Sequence, residues 1–153
     1  MDAVKQFFSR RSQPTSVSIA LLFLRVVVGS AFMFHGYGKI LNPFEWMGPT
    51  SAMPGIFQFL AAISEFGGGL AFILGLLTVL AALGIASTMV VAVHFQMIIQ
   101  GDPFISHSGG SYELALVYLV IALVIFATGA GRYSLDAKLF GERDADLQAT
   151  GQS

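Results

Sequence analysis

Two residues of opposite charge lie inside apolar stretches of this chain, Arg25 within Val17–Phe34 and Glu65 within Ile56–Leu77. An ionised side chain at bilayer depth is costly, so it normally faces the interior of a helix bundle and finds a partner there. The two together predict a small polar site inside a membrane bundle, with Arg25 and Glu65 as a structural ion pair, direct or bridged by a water or hydroxyl.

Other chemistry-bearing residues fall at comparable depth. His35 and Lys39 close the first apolar run, His94 and Gln96 close the third, and Tyr112 and Glu113 open the fourth. At a 1.5 Å rise per residue, Glu65 sits roughly 12–14 Å below the same edge. His35, Glu65, His94 and Glu113 would then line one outward-facing cavity drawn from four helices. Such a set suits a ligand with carbonyl oxygens. His35, Lys39 and His94 can donate hydrogen bonds to it, and Glu65 can take or give protons. Glu65 and His94 are the candidate catalytic residues, and His35, Lys39 and Glu113 the candidate ligand-binding ones. Each has a structural alternative. Arg25 and Glu65 could only fix helix pairing. His94 could hydrogen-bond a neighbouring carbonyl, His35 and Lys39 could snorkel to the interface, and Glu113 could serve the dipole of its own helix.

No metal site is expected. A di-iron bundle needs Glu-x-x-His pairs, a metalloprotease needs His-Glu-x-x-His, and neither occurs. Haem ligation by His35 and His94 is a weaker option than a quinone. Gly129-Ala130-Gly131 lacks the third glycine and the preceding strand of a dinucleotide loop.

The elements that must position these residues are hydrophobic helices. Of 153 residues, 55% are hydrophobic and 11% charged, against ~25% charged in soluble domains. The net charge of -1 gives no basic face for nucleic acid. The absence of cysteine excludes disulfides, Fe–S ligation and thiol catalysis by this chain.

Four apolar runs stand out: Val17–Tyr37, Ile56–Leu77, Thr78–Ile99 and Tyr112–Thr128. Each is near the roughly 20 residues that cross a bilayer as a helix. The first contains Arg25 and is too long for a signal peptide, so it reads as an anchor. The second and third must break at Gly75-Leu76-Leu77-Thr78, giving a tight hairpin. Gly67, Ala71 and Gly75 form one small-residue stripe, and Ser64 and Gly68 another, as at close helix contacts. The first long loop carries Pro43, Gly48, Pro49 and Pro54, and its Phe44, Trp46 and Met47 suit the membrane interface. Lys5, Arg10 and Arg11 flank one end and Arg132, Lys138 and Arg143 the other, so both termini are predicted to be cytoplasmic. The predicted architecture is an all-α, four-helix integral membrane bundle. Residues 1–16 would be a cytoplasmic flank, 17–131 the transmembrane domain and 132–153 a cytoplasmic tail whose last ten residues fray.

The order of motifs resembles a known family. Arg25 and Gly29 precede His35-Gly36-Tyr37-Gly38-Lys39; Glu65 precedes Gly67-Gly68-Gly69 and Leu74-Gly75-Leu76-Leu77-Thr78; Gly129-Ala130-Gly131-Arg132-Tyr133-Ser134-Leu135-Asp136 follows the fourth run. Over roughly residues 17–140 this resembles the DoxX family of small bacterial inner-membrane proteins. The resemblance implies a multi-pass four-helix protein of the bacterial inner membrane with a link to redox processes. Some relatives serve quinone-linked sulfur oxidation, and others partner oxidative-stress enzymes. Three functions follow as expectations. The chain could be a redox protein, itself an oxidoreductase or part of one, holding a quinone-like ligand. It could be a non-catalytic subunit that anchors a redox enzyme partner. More weakly, it could be a small-solute or proton-linked transporter, for which four helices is a small frame unless the chain forms a homodimer.

Overall fold

The computed structural model describes residues 13–141, and among these all regular structure is helical, with no strand. The first helix, α1, spans Thr15–Leu41. Pro14 precedes it with φ -54°, a position where the missing N–H costs nothing. Pro54 does the same for α2, Gly55–Leu74. Next come α3, Thr78–Ile99, and α4, Glu113–Thr128. A short helix, α5, covers Leu135–Phe140. Three of these, α1 to α3, are long and apolar enough to cross a membrane, whereas α4 is apolar but only 16 residues long. Expected flanks such as residues 1–12, and the tail beyond residue 141, lie outside the described residues.

Both α2 and α3 contain a π-helical turn. Ile63–Gly67 interrupts α2 and holds Glu65, and Phe95–Ile99 ends α3 directly after His94. Single π turns inside α-helices frequently mark functional sites.

The hairpin between α2 and α3 falls where the sequence placed it, although α2 stops at Leu74 rather than Leu77. Gly75 takes φ +64°. Its N–H donates to the Phe72 carbonyl at 3.2 Å, and the Leu76 N–H to the Ala71 carbonyl at 3.0 Å. This is the Schellman closure that needs a left-handed residue, which glycine supplies without a Cβ penalty. Leu77 is also left-handed, at φ +48°, a strained choice for a branched side chain.

Small residues set the spacing of the helices. A Cβ on Gly29 of α1 would lie 2.6 Å from the Gly69 carbonyl oxygen of α2, and one on Gly36 would lie 2.5 Å from the Phe66 nitrogen. No larger residue fits that seam. The predicted Ser64 and Gly68 stripe does meet α3: a Cβ on Gly68 would sit 3.1 Å from Ile85, and one on Gly84 3.1 Å from Ser64 Oγ. The predicted Gly67, Ala71 and Gly75 stripe is not a seam. Gly67 is exposed, and Gly75 caps the helix.

The core, with Val28, Phe32, Phe72, Ile85, Met89 and Ile125 among its residues, fills the space between the helices. Large apolar side chains such as Phe23, Phe34, Leu80, Val90 and Leu123 point outward, the arrangement expected when lipid rather than water surrounds the helices. At one end lie the loops 42–54 and 100–112, here termed the loop end. At the other lie the α2–α3 hairpin and α5, the hairpin end.

Candidate functional site

The buried charges form two separate layers rather than one. Glu65 does not pair with Arg25. Its Oε1 accepts from Lys39 Nζ at 2.6 Å, and the Glu65 side chain is 3% exposed against 24% for Lys39. The glycine seam explains the choice. Gly36 packs on Phe66, so Lys39 lies only about half a turn beyond Glu65 towards the loop end. Side chains lean towards their own helix N-terminus, which carries the ammonium back to the carboxylate.

Arg25 lies one turn on the hairpin side of Gly29 and about three helical turns from the level of Glu65, too far to pair with it. It is completely buried, and its Nη2 donates to the Tyr133 carbonyl at 2.6 Å. Its Nη1 occupies the space a Gly75 Cβ would need. Asp136 completes this layer. Its Oδ1 accepts from the Leu77 N–H at 2.7 Å and its Oδ2 from the Thr78 N–H at 2.9 Å, while its own N–H donates to the Gly75 carbonyl at 2.8 Å. Ser134 caps α5 by accepting from the Ala137 N–H at 3.1 Å and donates to the Gly131 carbonyl at 2.7 Å. Residues 132–140, expected to open the polar tail, therefore hold the hairpin closed.

The loop-end layer has an opening. A cleft of about 610 Å³ is lined by His35, Lys39, Asn42, Glu45, Trp46 and Pro49, among others. Lys39 Nζ sits 4.4 Å from the centre of the Trp46 ring, close enough for a cation–π contact. His35 is exposed, with its ring edge-on to Tyr118 of α4 at 6.1 Å, and Tyr118 also packs on Phe32 at 4.9 Å. The second carboxylate oxygen of Glu65, Oε2, is buried without a hydrogen-bond partner among the described residues. Chemically, the cleft presents an ammonium backed by a carboxylate, an imidazole and an indole face.

The remaining candidates lie apart. His94 is exposed on α3 in line with Ser87, Val90 and Val91. Its side chain makes no hydrogen bond, ion pair or ring contact among the described residues, and it does not line the cleft. Glu113 is exposed in the first turn of α4, where a carboxylate suits the helix dipole, and it does not line the cleft either. No group of three or more potential metal ligands occurs among the described residues.

Sequence reading missed Gln58, Tyr118 and the capping role of Asp136. Gln58 carried a signal of the same kind as Glu65, a polar residue inside an apolar run, but without a charge to draw attention.

Comparison with known proteins agrees with the helical layout. The DoxX family model matches residues 20–99, which include most of α1, all of α2 and α3, and Arg25, Lys39 and Glu65. An uncharacterized protein of Haemophilus influenzae is 35% identical over 122 residues, covering 78% of this chain and 90% of that protein. No solved structure matches the chain. The chain is a multi-pass membrane protein and belongs to the DoxX family.

Proposed function

We propose that this protein holds a small lipid-soluble ligand with hydrogen-bond-accepting oxygens, quinone-like in chemistry, in the cleft at the loop end. The observation that carries this reading is the Lys39–Glu65 pair at the side of an open cleft. Lys39 and His35 donate to the ligand oxygens. Glu65 does not line the cleft, so it acts through Lys39, holding the ammonium in place and exchanging its proton. In this reading α1 to α4 form a four-helix transmembrane bundle in the bacterial inner membrane. Residues 1–16 and 132–153 lie on the cytoplasmic side, and the cleft opens to the outside.

The other readings fare differently. A transporter needs a polar route between the two layers, and Val28, Phe32, Phe72 and Ile85 fill that space with buried apolar side chains. The assembly-subunit reading, in which the chain anchors a redox enzyme, draws support from Arg25 and Asp136. Both are spent on closing the hairpin, and neither lines the loop-end cleft.

The test is purification in mild detergent, followed by an absorbance scan and organic extraction. A quinone-like ligand should be retained by the native protein and lost from Lys39→Met and His35→Ala. His94→Ala and Glu113→Gln should retain it. Absence of any extractable ligand, together with no saturable binding of an added quinone, would leave the assembly subunit as the function.

A further inference from the structure

The loop that walls the cleft is held down by one buried side chain. Gln58 is 4% exposed, on the first turn of α2. Its Oε1 accepts from the Met47 N–H at 3.0 Å, and its Nε2 donates to the Met53 carbonyl at 2.9 Å. Its backbone carbonyl accepts from Trp46 Nε1 at 2.9 Å. One glutamine thus grips the loop at three residues. A primary amide donates from one head atom and accepts at the other while neutral; an ionised carboxylate lacks the donor and a hydrocarbon lacks both.

The rest of the loop has little to hold it. Between α1 and α2 the backbone makes only successive turns, with Glu45 N–H donating to Asn42, Gly48 to Glu45 and Ser51 to Gly48. Phe44 stacks on Phe59 with ring centres 4.9 Å apart and planes 2° from parallel, but Phe44 is itself exposed. Without the Gln58 amide the loop would lose the two bonds that fix it at Met47 and Met53, just after Trp46, and the indole beside Lys39 would be left with the Gln58 backbone carbonyl as its one hydrogen-bond anchor.

We infer that Gln58 is a positioning residue for the cleft. It fixes Trp46 as an aromatic wall beside Lys39, and a flat, electron-poor ring such as that of a quinone packs against this wall. The ligand half rests on the reading of the cleft given above; the positioning half does not. Ring stacking on the indole would orient the ligand oxygens towards Lys39 and His35, since all three side chains line the same cleft.

The chain has one tryptophan, so its intrinsic fluorescence reports Trp46 alone. The full chain is purified in detergent as wild type, Gln58→Leu and Gln58→Glu, with folding checked by circular dichroism. Gln58→Leu should shift the emission to the red and raise quenching by acrylamide. Gln58→Glu keeps the acceptor for the Met47 N–H and should shift less. An unchanged emission in folded Gln58→Leu overturns the positioning role. If Gln58→Leu does not fold, Gln58→Glu decides, and no shift there overturns it equally.

The second arm titrates a short-tailed benzoquinone. Wild-type emission should quench saturably, with affinity about tenfold weaker in Gln58→Leu, the worth of roughly one hydrogen bond. Quenching without saturation, alongside shifted emission in the variants, overturns the ligand half and the cleft reading while the positioning role stands. Equal saturable affinity in wild type and variants keeps the cleft reading and overturns the role of Gln58 in ligand placement.

Discussion

Lys39 touches a carboxylate, an indole and an open cleft, and its contribution can be separated by substitution. Removing one partner of a fully buried pair typically costs about 3–5 kcal/mol, and an exposed pair is worth under about 1 kcal/mol. Glu65 is buried and Lys39 partly open to the cleft, so the pair falls between these limits. Lys39→Met should lower stability in detergent by about 2–3 kcal/mol on that scale, and Glu65→Leu by a similar amount. The double variant should recover much of the loss, because neither charge is left alone; thermal denaturation of all four proteins measures the coupling. Arg25→Met and Glu65→Leu, by contrast, should simply add, since the two side chains sit in different layers. Coupling between Arg25 and Glu65 would place the layers in contact and undo the division made here. Sequence alone drew both charges into one pair because depth along a helix is legible from residue counts, whereas the helix offset set by Gly29 on Gly69 is not.

The hairpin between α2 and α3 closes through α5, an element far away in sequence. Asp136 receives the Leu77 and Thr78 N–H groups, 59 and 58 residues distant. Asp136→Ala would strip the buried Thr78 N–H and the part-buried Leu77 N–H of their acceptor and remove the carboxylate from the Arg25 layer. Each unsatisfied donor costs about 1–3 kcal/mol, so the variant should lose most of its folded yield, measured by detergent size exclusion. Gly75→Ala should also destabilise, by more than about 1 kcal/mol, because its φ is positive and the new methyl meets Arg25 Nη1. The hairpin itself was legible, since Gly75 can end a helix and Thr78 begins an unbroken apolar run. Its capping was not. Asp136 looks like one more polar residue in a polar tail until the fold brings it under Leu77.

For the molecule as a whole, helix number and order were readable because a bilayer demands long apolar runs, and composition shows them directly. The meeting of elements was not readable. His94 and Glu113 have suitable depth, yet depth fixes only one of the two coordinates of a helical residue, and both are exposed away from the cleft. Single-cysteine labelling tests the topology, and the lack of native cysteine makes it clean. Ala52→Cys and Ser108→Cys, on the exposed loops, should react with an impermeant thiol reagent in intact cells. Lys138→Cys, exposed on α5, should react only after lysis. The opposite pattern would put the cleft on the cytoplasmic side.

The π turn at Ile63–Gly67 gives the two halves of α2 different angular phases. A π turn holds one residue more than an α turn, so it offsets what precedes it by about 100° around the axis. Before the offset, Gln58 addresses the loop; after it, Gly68 addresses α3 and Gly69 addresses α1. Gly67 is the natural residue to delete, because a Cβ there would meet, among the described residues, only Ile63 of the same turn, at 3.8 Å. Deleting it should let the turn close as α-helix and leave the Gly29–Gly69 seam in register. The same change would swing Glu65 off Lys39 and Gln58 off its loop together, so that a folded protein would lose its cleft through a rotation rather than through the loss of any side chain that lines it.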